Sequence, residues 1–289
     1  MLFISRSRDR LRAWSDLVIL AHIVFTLPFT VVGIYLAATL VPVTLLKVAL
    51  LCIAQTSAYV IGMLVNRLSD YDIDTLNPRT RARGLVARTV SSREVVYLLI
   101  ANLLIFLIAC LALNPLCLVL SPLALFMVTV YNFTKRFTWL CHIWLGVTCA
   151  LGPAGAWAGL TASVISPVWI VGLGCALWIA GFDIIYALND LEFDREHGLY
   201  SIPARFGREK ALTIARLFHL GAVLSLFSLP LFYSFNYFYW TGCGVMALEL
   251  AGQHIVSQKR NFGMKLFTYS NTVIALTYFT FTTLGLYWP

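Results

Sequence analysis

Residues 95–113, VVYLLIANLLIFLIACLAL, contain no charged side chain. An α-helix needs about 20 predominantly apolar residues to cross the hydrocarbon core of a bilayer. Within that core each backbone polar group must be satisfied inside the segment, which a helix achieves by itself. The pattern recurs along the chain. Apolar stretches at 17–38, 42–64, 95–113, 116–133, 140–160, 167–188, 212–232, 237–257 and 267–287 predict nine transmembrane helices. Composition agrees, with 60% hydrophobic and 12% charged residues among 289, where soluble domains are about one quarter charged. The expected fold class is all-α: a polytopic membrane protein forming one domain over 1–289, with a basic tail at 1–16.

The charges fix the expected orientation. Of 21 Lys and Arg, all but Lys47 fall in the N-terminal tail or near positions 67–93, 135–136, 195–216 and 259–265. With nine spans, these clusters share one side. The opposite connections at 39–41, 114–115, 161–166 and 233–236 carry no charge. The positive-inside rule then puts the N-terminus in the cytoplasm and the C-terminus outside. The formal charge of +8 is therefore topological, and nucleic acid is not an expected partner. The first apolar stretch is long enough to span and shows no small-residue cleavage site, so it reads as a retained helix. Seven cysteines lie in or beside apolar stretches without a CxxC pair; they read as small core hydrophobes.

Two acidic motifs break the apolar pattern, both on the basic side. In NRLSDYDID, Asn66, Asp70 and Asp74 follow at i, i+4 and i+8, which places them along one helical face. Asp72 points elsewhere. In GFDIIYALNDLEFDREHGLYSIPARFG, Asp190 and Asp194 repeat the i, i+4 spacing, and Asp183 lies seven residues deeper on the same face. Glu192 and Glu196 fall on another. Like charges at i, i+4 repel, so two such clusters predict a shared cation. Hard oxygen ligands point to Mg²⁺, which takes one or two carboxylates plus substrate phosphates. Arg79, Arg81 and Arg83 follow the first motif, Arg195 and Arg205 the second, and Lys135 and Arg136 add a third basic set. Carboxylates beside Arg and Lys describe a diphosphate site, and its position at the edge of an apolar bundle implies a lipid tail within the bundle. Ser69 and Ser201 are expected to be reachable from the cytoplasmic side.

These residues resemble the UbiA family of membrane prenyltransferases. Asn66, Asp70 and Asp74 match its NxxxDxxxD motif, and Arg79, Thr80 and Arg83 its following basic stretch. Tyr131, Lys135 and Arg136, in YNFTKRFT, match YxxxKR, and Asp190 and Asp194 match the second Asp motif. HIVFTLPF, with His22, Phe25, Pro28 and Phe29, is similar to the first helix of the bacterial quinone branch. The chain departs where relatives often read RPLPSG; here it reads RGLVAR, retaining Arg83 but lacking the proline.

The resemblance implies nine helices around a lateral, lipid-accessible cavity in a bacterial inner membrane. It implies Mg²⁺ held by Asn66, Asp70, Asp74, Asp190 and Asp194, and diphosphate contacts from Arg79, Arg83, Lys135, Arg136 and Tyr131. Asp190 and Asp183 are the candidate catalytic acids, and His22 the candidate acceptor contact. The implied substrates are a polyprenyl diphosphate and an aromatic acid, with 4-hydroxybenzoate favoured over a naphthoate-type acceptor of the futalosine menaquinone route. Membrane lipid is the surrounding partner, and no obligate protein partner is implied. A cation transporter is the rival from another class, but its acids would sit near the midplane. For Asp183 the competing reading is a structural hydrogen bond, and for Glu249 and His254 a polar contact within the bundle. Gly152, Pro153 and Gly155 read as a site of close helix packing or a kink.

Overall fold

The computed structural model describes residues 13–19, 23–258 and 264–288. His22 and the arginines at 6, 8, 10 and 12 lie outside the described residues. Among those described, the chain is helical and contains no strand. We number the helices α1 (Ile23–Ala38), α2 (Leu45–Ser69), α3 (Tyr71–Leu76), α4 (Ser92–Leu113), α5 (Pro115–Thr134), α6 (Cys141–Thr161), α7 (Val168–Ala187), α8 (Leu191–Glu196), α9 (Ile202–Phe227), α10 (Tyr237–Ser257) and α11 (Met264–Tyr287).

By length and composition, α2, α4, α5, α6, the α7–α8 run and the α9 run through Leu231 can each cross a membrane. Helix α1 is shorter and apolar. The protein is an integral membrane protein. Side chains such as Ile108, Leu111, Val119 and Leu123 on α4 and α5 are exposed at 55–73%. These are surfaces for lipid, which is as apolar as they are.

Local chemistry sets the helix starts. Thr44 caps α2 through the Lys47 N–H at 3.3 Å, and Ser91 with Glu94 forms a reciprocal capping box for α4. Asn114 caps α5 ahead of Pro115. Its amide also donates to Ala158 and Gly159 carbonyls at 2.9 and 3.0 Å, tying the α4–α5 corner to the end of α6. Successive helices pack side by side, and α11 returns against α1, which also packs on α6 and α7.

Between membrane helices, close van der Waals contact supplies much of the attraction. A Cβ on Gly33 would meet the Pro153 carbonyl oxygen at 2.7 Å, and one on Gly146 the Ala176 carbonyl oxygen at 2.2 Å. These two glycines let α1 and α7 approach α6. Phe29, fully buried, stacks between Trp178 and Tyr278 at 5.4 and 4.9 Å. Such pairs contribute about 0.5–1.5 kcal/mol each beyond burial. They join α1, α7 and α11. Glu249 accepts a hydrogen bond from Thr277, and His254 lies 2.9 Å from His219, so both serve contacts between helices as expected. All seven cysteines are free.

Candidate active site

Both acidic motifs sit where a membrane-length helix breaks. Helix α2 ends at Ser69, and Asp70 adopts φ −94°, ψ 8° before α3 begins. Helix α7 ends at Ala187, a 3-10 turn covers Leu188–Asp190, and α8 carries Asp194. The expectation of one unbroken helical face is corrected by these breaks. The spacing survives them in the first motif, because the Asp70 N–H bonds to the Asn66 carbonyl and the Asp74 N–H to the Asp70 carbonyl. Asp70, Asp74, Asp190 and Asp194 are buried at 7, 4, 8 and 1% exposure. Asp72, Glu192 and Glu196 are exposed.

The four buried carboxylates line one polar cavity of about 150 Å³. Among the described residues, no three His, Cys, Asp or Glu side chains are grouped closely enough to share an ion. Each carboxylate instead faces a base. Arg79 grips Asp190 with Nε–Oδ1 at 2.9 Å and Nη2–Oδ2 at 2.5 Å, and Asn77 donates to the same Oδ1 at 3.1 Å. Arg83 Nη1 reaches both Asp74 oxygens at 2.8 Å. Asn66 donates to Asp70 Oδ2 at 2.7 Å while its own Oδ1 accepts from buried Arg67 at 3.1 Å. Arg136 stands 3.7 Å from Asp70 and donates to the Ser69 carbonyl.

Lys135 lies 3.8 Å from Asp194 Oδ1, a buried oxygen with no hydrogen-bond partner. An all-oxygen donor set with one such orphan fits a hard divalent cation. Burial pushes the Asp70 carboxyl up, more than Lys135 pulls it down. Burial opposes the charged form of Lys135, yet Asp194, Asp70 and Asp190 hold its ammonium above the usual range. The acids therefore hold Lys135 charged, while burial works against the charge of Asp70 itself.

The second basic set is corrected. Arg195 donates to the Ala204 carbonyl at 3.0 Å, and Arg205 lies over the Trp139 and Phe206 rings, so neither lines the cavity. Ser201 is also corrected: it is 1% exposed and caps α9 through the Ala204 N–H, so it lines the charged cavity and is not an exposed loop residue. In return the structure adds groups that the sequence reading passed over. Asn77 and Tyr186 brace Arg79: Asn77 Oδ1 accepts its backbone N–H at 2.9 Å and Tyr186 OH accepts from its guanidinium at 3.1 Å. Buried His142 contacts Asp183 Oδ2 through Nδ1 at 2.7 Å, and its Nε2 accepts the Ile202 N–H at 3.3 Å. That second bond puts the ring proton on Nδ1, donating to Asp183. His142 lacks any motif spacing, and its partner is 41 residues away; only the fold reveals the pair.

A second, largely apolar cavity of about 340 Å³ opens between α1, α2, α4, α5, α6 and α7. Asn66, Arg83, Tyr131, Asp183 and Tyr186 line both cavities. A charged chamber thus adjoins an apolar one across a shared wall.

Comparison with known proteins agrees with this arrangement. The UbiA prenyltransferase family model matches residues 26–271. The 4-hydroxybenzoate octaprenyltransferase of Francisella tularensis subsp. novicida is 30% identical over 199 residues, 69% of this chain and 70% of its own. That of Vibrio atlanticus is 30% identical over 214 residues, 73% and 75% of the two chains. The apo UbiA homologue from Aeropyrum pernix K1 superposes with a TM-score of 0.82 at 33% identity, covering 90% of this chain and 96% of that one. A homologue from Archaeoglobus fulgidus bound to GPP and Mg²⁺ shares the fold, with a TM-score of 0.71 at 21% identity over 93% and 98%. Joined cavities, buried carboxylates and matching basic residues thus occur in a chain that belongs to the UbiA prenyltransferase family, and the protein is a membrane prenyltransferase.

Proposed function

We propose that the protein transfers a polyprenyl group from its diphosphate to an aromatic acid, 4-hydroxybenzoate, for quinone biosynthesis. The observation that carries this reading is the shared wall of Asn66, Arg83, Tyr131, Asp183 and Tyr186 between a charged cavity and an apolar one. A prenyl diphosphate has the same two-part chemistry.

Asp70, Asp74, Asp190 and Asp194, with Asn66 beside them, would hold Mg²⁺, whose charge favours departure of the diphosphate. Arg79, Arg83, Lys135 and Arg136 bind phosphate oxygens in exchange for the carboxylates they now face, with Tyr131 at the junction. The allylic C–O bond breaks and its electron pair leaves with the diphosphate. The apolar cavity keeps water from the resulting cation. The ring carbon ortho to the acceptor hydroxyl forms the new C–C bond, and the ring proton passes to Asp183. His142 aims that carboxylate, which is 24% exposed at the side chain. Asp190 positions Arg79 beside the cavity until the diphosphate takes over that guanidinium, which frees the carboxylate for the metal.

The chain crosses a bacterial inner membrane nine times, with its N-terminus and active site on the cytoplasmic side. The uncharged opposite connections support this topology. The testing experiment is mass spectrometry of products from purified protein, Mg²⁺, a prenyl diphosphate and a panel of aromatic acids. A naphthoic acid belongs in the panel, because DREHGLYSIPARFG also resembles chains of the menaquinone branch. Prenylated 4-hydroxybenzoate is the expected product; exclusive prenylation of the naphthoic acid would overturn the acceptor assignment.

A further inference from the structure

One face of α6 walls the apolar cavity along its length. Leu145, Thr148, Cys149, Gly152, Gly155 and Ala156 contribute to it, at the i, i+3, i+4, i+7 spacing of a single helical face. Two glycines toward its far end meet different surroundings. A Cβ at Gly152 would meet Thr30 Oγ1 at 2.6 Å and Gln55 Oε1 at 3.2 Å, so that glycine permits helix packing. A Cβ at Gly155 would meet nothing within 4 Å. Gly155 is exposed although Ala154 and Ala156 are buried at 8 and 1%. Its open side faces the cavity. Packing does not require a glycine there.

One turn further, the space closes. A Cβ at Gly159 would meet Leu51 Cδ2 at 2.6 Å, Leu113 Cδ1 at 3.5 Å and Cys117 Sγ at 3.7 Å. Those three side chains also line the cavity, so they form its floor. The floor is fixed in place, because Asn114 hydrogen-bonds to Ala158 and Gly159. From His142, in the charged cavity, to Gly155 is thirteen helical residues, or roughly 20 Å at the α-helical rise.

We propose that Gly155 sets the length of prenyl chain the protein accepts, with Leu51, Leu113 and Cys117 as the stop beyond it. This rests on the reading that the apolar cavity holds the donor's hydrocarbon tail. The absent side chain at Gly155 leaves the last stretch of the cavity open. A short tail ends before this point, whereas a long tail must pass it or turn out between helices into lipid.

The test measures kcat/KM of the parent, G155A, G155W and L113A with geranyl, farnesyl, geranylgeranyl and octaprenyl diphosphates. G155W should keep geranyl transfer within about 3-fold and lose octaprenyl transfer by about 10- to 100-fold, the range of an overpacking penalty. G155A should fall between it and the parent. L113A, which lowers the floor, should shift preference toward longer donors. The geranyl rate reports folding of each variant. An unchanged donor profile in G155W, beside an active parent, overturns the inference alone, because the tail then leaves sideways. A uniform loss with every donor in G155W, with L113A and G155A unchanged from the parent, also overturns it. No turnover by the parent with any donor overturns the functional reading and this inference together.

Discussion

Asp70 and Asp72 are two residues apart and differ in burial, so they separate metal binding from local charge. Asp70 is 7% exposed and lines the charged cavity, while Asp72 is exposed. In D70N the new side chain still offers Asn66 an acceptor in place of the 2.7 Å bond. Arg136, at 3.7 Å, loses only a long ion pair. The fold should therefore persist, with removal of one buried anion as the main change. Loss of one such preorganised electrostatic contributor is worth about 2.7–4 kcal/mol, or a fall of about 10²–10³ in turnover. D72N alters an exposed charge outside the cavity and should stay within about 2- to 3-fold. The assay is product formation in detergent across a Mg²⁺ titration, with size-exclusion profiles to verify folding. D70N should also need more Mg²⁺ for its residual rate. Equal losses in D70N and D72N would refute the argument that burial and cavity position select the working carboxylates.

Other outcomes follow from the same geometry. R79M removes one proposed phosphate contact and leaves buried Asp190 with Asn77 alone; it should lower kcat/KM by about 10²-fold, as expected for loss of one preorganised electrostatic donor, and a change under 3-fold would refute its role. H142A should reduce kcat through Asp183, and H142Q should restore part of it by donating to the same oxygen. Equal kcat in H142A and H142Q would argue against positioning of Asp183. Single cysteines at Thr75 and Glu196, both exposed beside the acidic motifs, should react only with reagent on the cytoplasmic side in a cysteine-free background. Labelling from the other face would refute the proposed topology.

The all-helical, membrane-embedded character was readable in the sequence because lipid forces long uncharged stretches. The pairing of Asp70 with Asp74 in the charged cavity was readable because they sit one turn apart, and backbone bonds keep that spacing across the break at Asp70. What escaped depends on tertiary contact. Asn77 and Arg79 meet Asp190 across 113 and 111 residues, and no local spacing encodes that. Arg195 and Arg205 were misread because charge count gives the side of the membrane but not the direction of a side chain. Arg195 folds back onto Ala204, and Arg205 lies over aromatic rings. Ser201 was misread because a helix cap looks like a loop serine until its hydrogen bond from the Ala204 N–H is seen. Gly155 could not be distinguished from the packing residue Gly152 without the cavity beside it.

The central claim is Mg²⁺-dependent prenyl transfer to an aromatic acid, and one measurement tests it most directly. Purified protein is incubated with geranyl diphosphate and 4-hydroxybenzoate, in Mg²⁺ and in excess EDTA, and products are read by mass spectrometry alongside diphosphate release. The account predicts geranylated 4-hydroxybenzoate and matching diphosphate in Mg²⁺, neither in EDTA, and recovery when Mg²⁺ is restored. Undiminished product in EDTA, or diphosphate release in Mg²⁺ without any prenylated aromatic acid, would contradict it.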